Sequence, residues 1–346
     1  MRWRCVLLGA WLLTWAQWGV AQQRVIPLDQ LRSGLSYAGA DVRALQADEF
    51  GNPAQLWLLR GEQRWIEPVG PEGKSCQQCH GAAAQGLRGV AARYPAMDRR
   101  SGELMMLEDR IRNCRTRQQR GPELAFESDD LLALSLYLTQ ASAGVRLQVD
   151  IGGAARVHWQ EGERLFMQRR GQLNLACTHC HDQNHGQRFY TDLLSQGQPN
   201  GYPIYRMEWQ KVGSLERRLR SCLVGVRAEL PPWVYAEEQR SAPLVVELQV
   251  GSVKADASPV VVKARVLRVQ RKPAAVQLRP GDSLEIRYPL PPKRPEGWVG
   301  PSPVPLLRSG QQVTAWLAAD PEVPQVWAPA AGGRSFGPSM EDLPSR

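Results

Sequence analysis

The sequence predicts a mainly α-helical protein built from a duplicated domain, followed by a C-terminal antiparallel β barrel or sandwich. Three observations carry that reading. Cys-x-x-Cys-His occurs twice, as Cys76-Gln77-Gln78-Cys79-His80 and Cys177-Thr178-His179-Cys180-His181. Each copy is followed by one octapeptide pattern ending in a lone cysteine, first as Leu107-Glu108-Asp109-Arg110-Ile111-Arg112-Asn113-Cys114 and then as Leu215-Glu216-Arg217-Arg218-Leu219-Arg220-Ser221-Cys222. Beyond residue 243 helical periodicity gives way to the two-residue alternation of strands.

The chain opens with Arg2 and Arg4, an apolar run from Val6 to Val20, and the small Ala21. That order reads as a signal peptide over 1–21, cleaved near Ala21, and predicts export to the periplasm. Gly9, Gln17 and Gly19 interrupt the run, so a retained anchor is the lesser reading, and no other stretch is apolar enough to span a bilayer. Removing the leader takes away Cys5 and leaves six of the 7 cysteines, four in the two motifs plus Cys114 and Cys222. The formal charge of +9 falls by two with Arg2 and Arg4. No run of basic residues interleaved with aromatics suggests a nucleic-acid groove, so anionic small molecules or an acidic protein are the expected partners.

Two halves align within the chain. Gly61-Glu62 recurs as Gly162-Glu163 and Cys76 as Cys177, both 101 residues on; Tyr94-Pro95 recurs as Tyr202-Pro203 and Cys114 as Cys222, both 108 on. One change of offset means one insertion of 7 residues, around His185 to Gly201. The expected domains are 22–148 and 149–235. In each, a short helix opens at Gly-Glu before the motif. The octapeptide is helical, with Leu107, Ile111 and Cys114 on one face and Leu215, Leu219 and Cys222 on its counterpart. Ser128-Asp129-Asp130 caps a closing helix carrying Leu131, Leu132, Leu134, Leu136 and Leu138. The second copy has Leu230-Pro231-Pro232 in that place and reads as lacking the closing helix, with a polar linker over 236–242. The β module, 243–346, takes its strands from Val246, Leu248 and Val250, from Val260 to Val269, from Leu284, Ile286 and Tyr288 after the turn Pro280-Gly281-Asp282, and from Val313 to Leu317. Its C-terminus is expected to fray.

Cys-x-x-Cys-His is the attachment signature of a c-type haem, two thioethers and one axial histidine. Two covalently bound haem c groups follow, on Cys76 and Cys79 and on Cys177 and Cys180, with His80 and His181 as axial ligands in cytochrome c-like domains. Three disulfides would not require a histidine after each pair, and a thiolate zinc site needs four ligands in one place. For the opposite axial position Met97, Met105, Met106 and Met207 are available, yet only Cys114 and Cys222 recur at equivalent positions. Thiolate ligation would stabilise ferric iron and lower both potentials. A disulfide between Cys114 and Cys222 would need the octapeptides face to face. His158, His179 and His185 offer no third ligand for a separate metal site. Arg218 lies four residues before Cys222, one helical turn away, with Arg217, Arg220 and Arg227 nearby, and guanidinium forks suit oxyanions. The plain alternative for Arg110, Arg112, Arg218 and Arg220 is pairing with haem propionates or solvating a helix face. It is preferred for the first copy.

From about 30 to 230 the chain resembles the SoxA family, dihaem subunits of the SoxAX cytochromes of bacterial sulfur oxidation. The likeness rests on Cys76 to His80, on Gly171-Gln172-Leu173-Asn174-Leu175-Ala176 running into Cys177 to Asp182, on Trp209-Gln210, and on Gly213-Ser214 through Cys222 into Gly225-Val226-Arg227-Ala228-Glu229. The resemblance implies His/Cys ligation of both haems, a persulfide at Cys222, and Arg218 at the substrate entrance. It implies the activity of an L-cysteine S-thiosulfotransferase, joining thiosulfate to the carrier cysteine of SoxYZ. SoxX would be the monohaem partner and a cytochrome c the acceptor of two electrons. The β module departs from the family; Val262 to Leu267 with Pro280-Gly281-Asp282 resembles netrin-like OB modules. Two rivals remain open: a pure dihaem electron carrier, and a haem-containing scaffold that recruits partners through the β module.

Overall fold

A computed structural model describes residues 26–189, 192–256, 258–291 and 300–340. The expected signal peptide lies outside the described residues. Among the described residues no helix is long and apolar enough to cross a membrane.

The first half contains α1 (Ala40–Ala47), α2 (Ala54–Ile66), α3 (Cys76–His80), α4 (Ala83–Gly86), the hairpin β1 (Ala96–Met97) with β2 (Leu104–Met105), α5 (Leu107–Asn113) and α6 (Asp129–Gln140). Ser128 caps α6, its hydroxyl accepting from Leu131 N at 3.4 Å. Leu131, Leu134 and Leu138 then form a core with Trp65, Ala83, Leu107 and Leu124, each buried leucine stabilising the fold by about 1.5–3 kcal/mol. Gly61-Glu62 does not open a helix as expected; it lies in the middle of α2. The glycine is there because α2 crosses α6 at that point, and a Cβ would stand 2.3 Å from the Ala133 carbonyl oxygen. α5 also departs from a simple helix. From Cys114 to Gln118 it widens into a π turn.

The second half contains α7 (Arg156–Met167), α8 (Cys177–His181), β3 (Arg188–Phe189) with β4 (Asp192–Leu193) in the insertion, β5 (Ile204–Arg206) with β6 (Lys211–Gly213), and α9 (Leu215–Gly225). Local pairings repeat in step with the first half. The bridge Val69–Lys74 has its counterpart in Arg170–Leu175, and the pair Ala96–Met105 in Ile204–Gly213. Gly162 is again mid-helix, but here an added Cβ meets nothing within 4 Å. No residue of α7 is buried, and its contacts are chiefly with the turn before it and with α8.

Residues read as a polar linker form a helix instead, α10 (Pro232–Ser241). Proline is compatible with the first helical turn, where its missing N–H has no partner to lose. Val234 and Tyr235 join Leu230, Leu223 and Met340 in a small core, so this segment is folded against both neighbours. α10 does not take the place of α6, because its packing is with α9 and the C-terminal module.

That module is a closed barrel of β7 (Leu244–Lys254), β8 (Val260–Arg271), β9 (Ser283–Tyr288), β10 (Gln312–Ala319) and β11 (Trp327–Pro329), in the order β10-β11-β9-β8-β7. The alternation seen in sequence is the barrel's inside and outside. Leu244, Val246, Leu248 and Val250 of β7 face Val260, Val262, Ala264 and Val266 of β8 in the core. The module is not wholly antiparallel: β11, which the sequence did not reveal, closes the barrel against β9 in parallel at Trp327–Ile286. Nor is the chain frayed up to residue 340, since Phe336 bridges to Ala315 and Met340 is buried.

Candidate haem and sulfur site

Both motifs form single turns of helix held open by caps. At α3, Ser75 Oγ accepts from Gln78 N at 3.2 Å and Gln78 Oε1 accepts from Ser75 N at 2.9 Å. At α8, His179 Nδ1 accepts from Ala176 N at 3.0 Å, which gives this histidine a capping task. Trp65 donates its indole N–H to the Gly81 carbonyl at 3.0 Å and lies beside the His80 ring, centroids 5.9 Å apart.

The histidine expected as axial ligand in the second copy is oriented by the insertion. His181 Nδ1 donates to the Ser195 carbonyl at 2.8 Å, which fixes the tautomer and leaves Nε2 with the free lone pair a ligand atom needs. Gly197 passes so close that a Cβ there would be 3.0 Å from His181 Cγ. The insertion is itself held by the N-terminal strap. Gln196 Nε2 donates to the Gln30 carbonyl at 3.0 Å and Gln196 Oε1 accepts from Arg32 N at 2.6 Å. His185 meets the Tyr37 hydroxyl at 3.2 Å through Nδ1.

None of the six cysteines among the described residues is joined to another by a disulfide. Each lone cysteine stands by its own pair. Burial pushes the Cys177 and Cys180 thiols up, and the nearby Cys222 adds to the shift. Burial likewise raises Cys76, with Cys114 adding, and raises Cys114 while Arg110 opposes. Of the alternative ligands, Met207 is 59% exposed, and Met105 is buried with its sulfur accepting from Asn113 at 3.6 Å.

The residues fit a covalently bound haem. Between α7 and α9 no hydrophobic core cluster forms among the described residues, and Val157, Trp159, Leu219 and Val224 remain exposed. A large apolar macrocycle is the kind of group such a shell would cover. His181, Cys177, Cys180 and Cys222 supply the donors a c-type haem takes.

The arginines separate the two copies. Arg110 is committed: Nη2 donates to Asp98 Oδ1 at 2.7 Å and Nε to the Tyr94 hydroxyl at 3.2 Å. Arg110, with the Ser101 backbone, holds the Asp98 carboxyl down to about 2. The position equivalent to Asp98, 108 residues on, is Arg206. Arg206 pairs with Glu208 and stacks on Trp209 at 5.5 Å, so Arg218 is left with no acidic counterpart to Asp98. Among the described residues its guanidinium has no ion pair or hydrogen bond. It lies near Tyr202, whose phenol burial raises while Arg218 and Arg206 oppose.

The other arginines have structural partners. Arg217 stacks on Trp209 at 5.3 Å and pairs with Glu127 at 3.4 Å. Arg112 and Arg220, equivalent residues, pair with consecutive glutamates of α10, Glu237 at 3.7 Å and Glu238 at 2.5 Å. The Arg227 guanidinium donates to Gln172 Oε1 at 3.5 Å. Sequence reasoning missed Asp98, Ser195, Glu127, Glu237 and Glu238. Only the exchange of Asp98 for Arg206 was readable, by continuing the internal alignment.

A model of the SoxA/TsdA cytochrome c domain matches residues 60–147. The L-cysteine S-thiosulfotransferase subunit SoxA of Pseudaminobacter salicylatoxidans is 36% identical over 206 residues, 59% of this chain and 72% of that protein. The subunit of the same name from Rhodovulum sulfidophilum is 34% identical over 199 residues, 58% of this chain and 69% of its own. A crystal structure of SoxXA from P. pantotrophus matches with a TM-score of 0.55 and 32% identity, over 58% of this chain and 76% of that one. At that identity and coverage, the chain belongs to the SoxA family of cytochromes that carry covalently bound haem c.

Proposed function

We propose that this chain is the thiosulfate-conjugating subunit of a SoxAX-type complex, an L-cysteine S-thiosulfotransferase. It would act in the periplasm after loss of residues 1–21, with SoxX as heterodimer partner, SoxYZ as carrier and a cytochrome c as electron acceptor. Haem domains over 22–148 and 149–235 would each hold one haem c, through Cys76, Cys79, His80 and Cys114 and through Cys177, Cys180, His181 and Cys222. Domain duplication is supported by the matched bridges and hairpins. The order β7-β8-β9-β11-β10, closed and with a parallel β9/β11 pair, supports reading the C-terminal module as OB-type.

One observation carries the assignment of the working site to Cys222. Arg110 is neutralised by Asp98, whereas Arg218 is not, because the equivalent position holds Arg206. Arg218 therefore keeps its charge for a dianion and orients thiosulfate with its sulfane sulfur towards Cys222. The Cys222 sulfur bonds to that sulfane sulfur with release of two electrons, giving Cys–S–S–SO3⁻. The carrier thiolate then attacks the sulfane sulfur, forms carrier–S–S–SO3⁻ and releases the Cys222 thiolate. Haem c, when bound, supplies the acceptor for the electrons.

Cys222→Met with haem content retained should lose conjugation of thiosulfate to a carrier thiol. Undiminished turnover in that variant would remove Cys222 from the reaction. Arg218→Gln should lower kcat/KM for thiosulfate by roughly 10–100-fold, as expected for one charge-assisted contact of about 1.5–3 kcal/mol.

A further inference from the structure

Beside Cys114, on the first copy, lies a cavity of about 420 Å³ bounded by the β1–β2 turn and the π turn that follows α5. Its lining includes Arg99, Arg100, Arg110, Arg117 and Cys114 but none of Cys76, Cys79 or His80. Arg110 is spent on Asp98. The Asp98 carboxylate is consumed in turn by the Ser101 backbone and hydroxyl, both at 3.1 Å, which closes the turn carrying Arg99 and Arg100. Arg99, Arg100 and Arg117 are exposed, and no ion pair or hydrogen bond engages their side chains among the described residues. Three of the four arginines that line the cavity thus have no acidic partner among the described residues.

The second copy has no such arrangement. The positions equivalent to Arg99, Arg100 and Arg117 are Met207, Glu208 and Gly225, and α9 continues as regular helix past Cys222. Among the described residues the π turn is found in the first copy alone, and it displaces Arg117 from the position a regular helix would give it. Self-repulsion of three like charges is tolerated where an anion offsets it.

We infer that this cavity is a second anion-binding site, taking a small tetrahedral sulfur oxyanion beside Cys114 through Arg99, Arg100 and Arg117. Anion binding follows from the cavity alone; the sulfur oxyanion class rests on the proposed function. The site is independent of Arg218, so each can be removed without the other.

The test is calorimetric titration of the haem-loaded protein at low chloride, with sodium thiosulfate and separately with sodium sulfate. In Arg218→Gln one anion site should persist. Adding Arg99→Gln and Arg117→Gln should weaken that site by about tenfold or more, since each charge-assisted contact contributes at least about 1.4 kcal/mol. Arg100→Gln alone should weaken it to a lesser degree. Binding of both salts would mark a general dianion site, and binding of thiosulfate alone a site that reads the sulfane sulfur; either supports the inference. Absence of any anion site in Arg218→Gln overturns it, as does unchanged affinity in the arginine variants. Loss of haem in place of anion affinity would assign these arginines to the haem carboxylates and also overturn it. Loss of catalysis in Arg218→Gln bears only on the proposed function.

Discussion

Replacing Gly61 and Gly162 with alanine, one at a time, tests how differently the two halves are built. The residues are equivalent in the internal alignment and both lie mid-helix, in α2 and α7. At Gly61 the new methyl would meet the Ala133 carbonyl oxygen at 2.3 Å and Tyr137 Cβ at 2.8 Å. The nearer obstacle is backbone, so α2 and α6 must separate and the Trp65–Leu131 core must loosen. Overpacking of this kind costs roughly 1–3 kcal/mol, offset by about 1 kcal/mol from alanine's better helix propensity. A net loss of up to about 2 kcal/mol should lower the thermal midpoint by up to several degrees. At Gly162 nothing lies within 4 Å, and the propensity term acts alone, raising stability by up to about 1 kcal/mol. Thermal or urea unfolding of the haem-loaded variants, followed by circular dichroism, reads both. Equal destabilisation by the two substitutions would refute the reasoning, since it would require a packing partner on α7 like that on α2.

Further outcomes follow from groups outside the reacting centre. Burial, with Glu108 nearby, pushes the Glu216 carboxyl up to about 7. The folded state then binds the proton more tightly than the unfolded chain, so stability should fall as pH rises from about 4.5 to 7. Glu216→Gln should flatten that dependence between pH 5 and pH 8 in urea melts, recovering at most about 3 kcal/mol at the upper end. Glu127 accepts from Ser214 N at 3.0 Å at the start of α9 and pairs with Arg217. Glu127→Ala should cost about 1–3 kcal/mol by leaving Arg217 partly buried without its acid, read as a shift in denaturation midpoint. Glu229 accepts from the Tyr235 hydroxyl at 3.0 Å and from Ser302 N. Glu229→Ala should speed limited proteolysis between the second half and the barrel, with the haem spectrum unchanged.

Much of this architecture was legible because it is periodic. Leu131 to Leu138 behind Ser128, and the alternation around Val246 and Val262, reflect burial on one face, and burial is what composition at fixed spacing encodes. Covalently bound haem c was legible because its attachment demands one short motif. Other features depend on which helices meet. Gly61-Glu62 looked like a helix start because glycine is a poor helix residue, and only the crossing with α6 explains it. Residues 236–242 looked like a linker because their charges face partners distant in sequence. β11 is three residues long and gains its place only by completing the barrel. For the arginines, local clustering around Cys222 overstated the case. Arg217 and Arg220 serve packing, and Arg218 stands out through what it lacks, an acid at the position of Asp98.

Three consecutive side chains of α10 reach three different bodies. Glu237 pairs with Arg112 of the first half and Glu238 with Arg220 of the second, and Gln239 bonds Arg334 O, Pro338 O and Met340 N of the C-terminal module. Successive residues on a helix project about 100° apart, so this joint works only in one rotational setting. A single-residue insertion or deletion before Glu237 would swing every one of the three away from its partner at once. The barrel is thereby mounted like a keyed shaft, held at a set angle to the helix that bears Cys222. Anything bound on its surface would approach that cysteine along a direction built into the length of the chain.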